Sequence, residues 1–399
     1  MKRFNPRKLF AILTLGMATA LGTGSCGLMH DDLPPCATEV TTVVNFVYDY
    51  NMDGVDLFDR HAGSVYLYVF EDSLFVNRYE KNRVDLDPSS PDFSMTFDSE
   101  TSDIKRGHTY QFVAVAQGSY TGYTALKDSL AGIDSLNIDD VPGFRLVNEL
   151  VPGDSISKYI LKLNRDTLMF SDFGVVDYTK DYRGEEALLD TVWTTMQVQV
   201  HTIPDLGPEQ IENPVEEVKI PMMRVTNNIE VALYSPGFTA STRPADYDIL
   251  LYYPRGNGTL NIVGDTLPEI SQPLYYRALR KRVAPYTEKD GTRADGDEGD
   301  GTAQYAIYAT FGVSRLIAGD ESSLQIRDPE THELLAEIPN FSDYLSRRGN
   351  TDYDDPQEYL DREFDFKVDV GLTRDDRLWW SQVGIGILGW AVRDWYVGL

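Results

Sequence analysis

A chain of 399 residues that sets 63 acidic side chains against 36 basic ones, for a formal charge of -27, is unsuited to nucleic acid, whose binding depends on cations neutralising phosphates. The same excess of acid repels anionic lipid headgroups, so any membrane attachment has to come from an acyl chain and not from a basic patch. That length is also more than one core comfortably serves, and two domains are expected.

The chain opens with Lys2, Arg3, Arg7 and Lys8, an apolar run from Leu9 to Leu21, then Gly22, Thr23, Gly24 and Ser25 before Cys26. The run is shorter than the ~20 residues that cross a bilayer, and basic, apolar and small residues in that order read as a secretory signal. Small residues ahead of a lone cysteine suit a peptidase that cuts before a lipid-modified thiol. Residues 1–25 are therefore expected to be a lipoprotein signal peptide and Cys26 an acylated (palmitate-bearing) anchor, although Thr23 stands where a leucine is usual and Leu21 lies further back. Residues 26–39 then form a tether carrying Asp31 and Asp32. Cys36 is the other cysteine of the two, so no disulfide framework staples the body. The alternative is a short Cys26 to Cys36 disulfide in a soluble secreted protein, which requires cleavage elsewhere.

From Val40 to Tyr50, Thr42, Val44, Phe46, Tyr48 and Tyr50 alternate with Val43, Asn45, Val47 and Asp49, which predicts a strand. Asp49, Asn51, Asp53, Gly54 and Asp56 imitate the start of a calcium loop, but Arg60 holds the place of the closing Glu, so an acidic turn is the better reading. Val65 to Phe70 is apolar on both faces, as in a strand covered on two sides. Strands follow at Phe93 to Phe97 and Thr109 to Gln117. Residues 119–156 are turn-rich, with a short helix around Ala125 to Leu130. Further strands are expected at Lys158 to Leu163, Phe173 to Tyr178 and Val192 to His201. Ile203 to Glu217, Pro-rich and acidic, reads as a linker, and it divides a first domain, 40–212, from a second, 213–399.

The second half continues with strands at Val218 to Met223, Asn228 to Tyr234, Tyr247 to Tyr253, Leu260 to Val263, Tyr305 to Phe311 and Ser323 to Arg327. Thr287 to Thr302 repeats Asp, Glu and Gly and reads as a solvated acidic loop. Asn340 to Arg348 is expected to form a short helix with Phe341, Tyr344 and Leu345, and Phe364 to Val370 a strand with one wet face. In Val383 to Val397, Gly384, Gly386 and Gly389 sit among Ile385, Ile387, Leu388, Trp390 and Val392. An unpaired edge of that composition aggregates, so the segment has to pair within its own sheet or in a partner's groove. No long helix interrupts the series, so the fold class is all-β, a sandwich of antiparallel sheets.

The runs Asp32-Leu-Pro-Pro-Cys36, Asn45-Phe-Val-Tyr-Asp-Tyr-Asn-Met52, Asp56-Leu-Phe58 and Val65-Tyr-Leu-Tyr-Val-Phe70 resemble the amino-terminal signature of the FimB-like fimbrial anchor proteins, minor fimbrial subunits of Bacteroides-type bacteria. So do Tyr110-Gln-Phe-Val-Ala114, Asn228-Ile-Glu-Val-Ala-Leu233 and Gln357-Glu-Tyr-Leu-Asp-Arg-Glu363 with Trp390. The resemblance implies two transthyretin-like β-sandwich domains, an outer-membrane lipid anchor at Cys26, and a place at the base of a fimbria that holds it to the cell and limits its length. Fimbrial shaft subunits are the implied partners, by strand pairing. The segment holding Ile385, Ile387, Leu388, Trp390 and Val392 is the candidate contact, set against the plainer reading of a closing strand. The acidic 287–302 insertion and Asp53-Gly54 depart from the family pattern. Arg60 is expected in an exposed turn and uncut by trypsin-like proteases.

Two other classes compete. A surface glycan-binding lipoprotein or a fimbrial tip adhesin is also acidic, β-rich and aromatic, and Trp379, Trp380, Trp390 and Trp395 are its candidate sugar platforms, although their place among strand-forming aliphatics makes core packing the better reading. For an enzyme nothing speaks: His30, His61, His108, His201 and His332 show no paired metal-ligand spacing, and no nucleophile elbow or phosphate loop occurs. No cofactor is expected.

Overall fold

A computed structural model describes residues 37–118, 144–163, 168–170, 191–207, 212–271, 273–278, 280–286, 304–347, 353–374, 380–387 and 390–395. The leader with Cys26 and Cys36, the helix expected near 125, the strand at Phe173 to Tyr178 and the acidic 287–302 loop lie outside these residues.

The strands are β1 (Thr41–Val47), β2 (Ser64–Glu71), β3 (Leu74–Asn82), β4 (Met95–Asp98), β5 (Thr109–Gln117), β6 (Phe144–Leu146), β7 (Leu161–Leu163) and β8 (Leu168–Phe170). Then come β9 (Val192–Thr195), β10 (Gln199–Thr202), β11 (Val215–Arg224), β12 (Thr226–Tyr234), β13 (Asp248–Tyr253), β14 (Thr259–Leu260), β15 (Leu274–Arg277) and β16 (Arg280–Pro285). The last are β17 (Tyr305–Ser314), β18 (Ser323–Arg327), β19 (Leu334–Pro339), β20 (Asp365–Arg374), β21 (Trp380–Ile387) and β22 (Trp390–Trp395). Helices are short: α1 (Phe58–His61), α2 (Phe341–Ser346) and α3 (Pro356–Arg362). The fold is all-β, as expected, and the sheets run β3-β2-β5-β9-β11-β1-β4 with β10 on β5, β16-β17-β12-β20-β21-β22, β19-β18-β13-β15-β8, and β14-β7-β6.

Period-two alternation explains the strands that the sequence predicts. In β1 the buried positions are Thr42, Val44 and Phe46, with Val40 and Tyr48 continuing the series beyond its ends. β2 is buried on both faces, with Val65, Leu67 and Val69 on one and Tyr68 and Phe70 on the other. Its hairpin to β3 turns on Asp72 and Ser73, both at positive φ (50° and 65°), a type I′ geometry without the usual Asn-Gly. That missing signal is one reason β3 was not expected. The expected strand Val192 to His201 is two, β9 and β10, broken at Met196 to Val198. β11 begins inside the expected linker, at Val215.

The chain divides into two compact units, one of residues 1–43, 96–109 and 202–217, the other of 44–95, 110–201 and 218–399. In the first, Val40 N–H donates to Ser99 Oγ (2.8 Å) and Ser99 N–H returns to Val40 O (3.0 Å), while Thr41 N–H donates to Pro214 O and Ile203 N–H to His108 O. The second contains a core between the β12 and β13 sheets: Ile229, Val231 and Leu233 face Ile249, Leu251 and Tyr253, with Ile307, Phe311 and Leu324, and α2 adds Phe341 and Leu345. A further core joins Tyr68, Phe70, Val113 and Val115 to Phe144, Leu161 and Leu260. Phe58 of α1 sits 5.4 Å from the ring of Phe46 and 5.8 Å from Phe93. β12 pairs with β17 antiparallel and with β20 parallel, so the two long neighbours of this central strand come from far along the chain.

Candidate functional site

The segment singled out at the carboxy end is a hairpin and not one strand. Ile385 pairs with Val370 on one side and Val392 on the other, and Ile387 with Val368 and Trp390. Leu388 and Trp379 lie outside the described residues. β21 is thus an interior strand, and β22 has no further neighbour among the described strands. Unlike the covered β21, it leaves one row of backbone groups unpaired by any described strand.

The acidic turn after β1 is built by side chains that mimic backbone. Asn51 is buried; its Oδ1 accepts from the N–H of Asp53 (3.0 Å) and Gly54 (2.9 Å), and its Nδ2 donates to Tyr48 O and Val55 O. Asp56 Oδ1 accepts from the N–H of Tyr48 and Phe58. These oxygens are spent on the turn, and among the described residues no three potential metal ligands cluster. Arg60, expected in that turn, is exposed within α1, where the following N–H of His61 bonds Leu57 O.

The Gln357-to-Glu363 run proves to be a helix with a task. Asp355 caps it by accepting from Gln357 N–H (2.9 Å), Pro356 opens it, and Tyr359, Leu360 and Asp361 are buried. Asp361 receives a two-pronged bond from Arg315, Nε and Nη2 both at 2.7 Å. Arg315 Nη1 then reaches Gly264 O and Asp265 Oδ1, each at 3.0 Å. Burial opposes its charge, but the hydrogen bonds and charges of Asp361 and then Asp265 outweigh it and hold the guanidinium above its ordinary value. Gln357 completes the set: Nε2 donates to Leu316 O and Asp361 Oδ1, and Oε1 accepts from Ala318 N–H.

Arg315 therefore ties α3 to the 261–265 turn, and each of these touches the amino-terminal strands. Arg362 of α3 lies 4.3 Å over the ring of Tyr50 and donates to Asn51 O, while Tyr353 Oη meets Met52 Sδ at 3.7 Å. On the other side Leu260 pairs with Leu161, and a Cβ on Gly264 (φ 79°) meets Thr194 Cγ2 at 2.6 Å, so only glycine lets the turn approach so closely. Arg224 over Phe364 (4.3 Å) adds a third contact. Nearby, the buried Tyr276 hydroxyl donates to Asn257 Oδ1 (2.5 Å), and Asn257 Nδ2 donates to Arg315 O (3.1 Å), which fixes the backbone that carries the arginine. Sequence reasoning found α3 as a motif but missed Arg315 and Gly264. The available signal was a single cation closing the apolar run Tyr305 to Val313.

Among solved structures the chain is similar to a candidate adhesin from Bacteroides thetaiotaomicron VPI-5482 (20% identity, TM-score 0.62, covering 91% of this chain and 99% of that one). It is also similar to a candidate polysaccharide-binding protein from the same strain (18%, 0.59, 89% and 98%) and to the fimbrial anchor protein Mfa2 from Porphyromonas gingivalis (14%, 0.53, 90% and 100%). At these identities the likeness carries the fold. No curated protein matches. The sequence model that does match spans residues 33–395, from the Leu-Pro-Pro run through the terminal hairpin, and the chain belongs to the fimbrillin-A associated anchor proteins Mfa1 and Mfa2.

Proposed function

We propose that this protein is the lipid-anchored base subunit of a surface fimbria. Acylated at Cys26 and held in the outer membrane, it attaches the filament to the cell and limits its length through strand-mediated contact with the first shaft subunit. The observation that carries the reading is the anchor-family match over residues 33–395. The basic, apolar, small-residue order ahead of Cys26 supports the lipid. The open edge of β22, in the hairpin that holds Ile385, Ile387, Trp390 and Val392, supports contact by strand addition. In this reading the chain is a tandem of two sandwiches, 40–212 and 213–399, and the Arg60 bond stays uncut, because its helical backbone fits an extended-substrate protease poorly.

The test is a strain carrying Cys26→Ala, in which the share of fimbriae on cells and in the medium is measured together with their lengths. Shedding of fimbriae while the protein is still made is the expected result. Fimbriae that remain attached at normal length overturn the reading and leave a tip subunit or a glycan binder as the account.

A further inference from the structure

The sheet β16-β17-β12-β20-β21-β22 ends in two very different strands. Among the described strands, the edge away from β22 is β16, Arg-Lys-Arg-Val-Ala-Pro, three successive cations in a chain of formal charge -27. Its register with β17 sets Lys281 opposite Ala309 and Val283 opposite Ile307. Ala309 and Ile307 belong to the core, and Val283 packs against it, so Lys281 shares the inward face. Its Nζ donates to Tyr247 O at 2.8 Å, and burial lowers its pKa, against the charge of Asp248 and with that of Arg277. On the outward face Arg282 lies 4.4 Å over the Tyr308 ring and 3.7 Å from Glu230. The 3-10 turn Pro244–Asp246 packs beside β16, and Pro285 ends it.

A hydrocarbon side chain at 281 satisfies this inward position at less cost than an ammonium does, so the lysine is not explained by the stability of the sheet. Inward-pointing charge, proline and a covering turn are the devices by which edge strands are kept from pairing. We propose that β16 is a closed edge, at which Lys281 bars pairing with β16 of a second copy of this chain, so that the sheet is open to a further strand on the β22 side alone. A two-fold pair of β16 strands brings three cations against three and desolvates both lysines further, whereas without Lys281 the same backbone is a template for its own copy. The inference stands on the β16 side of the sheet and does not depend on the fimbrial reading.

The test compares Lys281→Val, Lys281→Met and Lys281→Arg in a full chain that also carries Cys26→Ala, so that no acyl chain drives association. Sedimentation velocity over a concentration series is expected to give a monomer for the parent and for Lys281→Arg. Lys281→Val and Lys281→Met are expected to dimerise with association at least about tenfold tighter, at an unchanged or raised Tm, with amide exchange slowed across 280–285 in the dimer. Lys281→Met, which keeps the aliphatic stem, decides the matter if Lys281→Val does not fold. Monomers throughout, or a dimer whose slowed exchange lies at 390–395 instead, overturn the proposal.

Discussion

Among single residues, Asp320 is an uncomfortable acid of the second unit. Its Oδ1 is buried with no hydrogen-bond partner among the described residues, and burial raises its pKa above the ordinary carboxylate value against a lowering bond from the Glu321 backbone. A carboxyl whose pKa is raised on folding favours the folded state below its unfolded value and loses that contribution as pH climbs through the raised one. Asp320→Asn removes the loss. Its unfolding midpoint at pH 7 is expected to exceed that of the wild type, and the gap to close below about pH 4, where both side chains are neutral. Equal midpoints at pH 7 count against the assignment. Nothing in the sequence singled out Asp320, because the penalty comes from what packs over it. Asn51, by contrast, was legible as part of a polar turn, but only the structure shows its amide bonded to four backbone groups.

Elements were legible where one face is wet or where apolar residues crowd both. β1, β5, β12 and β20 follow from alternation, and α2 from Phe341, Tyr344 and Leu345. β3, β16 and β19 were missed for a shared reason: Asn77, Arg78, Lys281 and Glu337 interrupt the pattern, as edge strands permit when their backbone pairing comes from a neighbour, whereas β15, four residues long, is too short to show a period. The bond between Arg315 and Asp361 was invisible, since it joins positions 46 residues apart. Removing one partner leaves a buried charge, so Arg315→Met is expected to cost about 3–5 kcal/mol, and Asp361→Leu a similar amount. The double variant is expected to recover much of that loss, measured by denaturant titration as a cycle. Additive losses refute the coupling.

At the scale of the whole molecule the formal charge of -27 sets the tone. Self-repulsion among so many carboxylates opposes the folded state, and salt screens it: the Debye length falls from about 20 Å to about 4 Å between ~0.02 and ~0.5 M. Tm is expected to rise by a few degrees across that range, because a buried pair such as Arg315 with Asp361 is screened far less than the surface. A fall in Tm with salt indicates that surface ion pairs outweigh the repulsion. The family, too, was legible at this scale, since its motifs are spread along the chain and none is diagnostic alone.

The parallel pairing of β12 with β20 also sets a timetable. Asn228 and Asp365, whose side chains meet at 2.8 Å, are 137 residues apart. Until β20 is available, β12 has β17 on one flank and no neighbour among the described strands on the other, so the core between the β12 and β13 sheets cannot close before residues 365–374 are made. Closing so long a loop late makes folding slow and keeps a bare strand edge on offer in the meantime. The sheet is in this sense sealed by β20, and a chain cut short before residue 365 is left with an adhesive edge in place of a finished one.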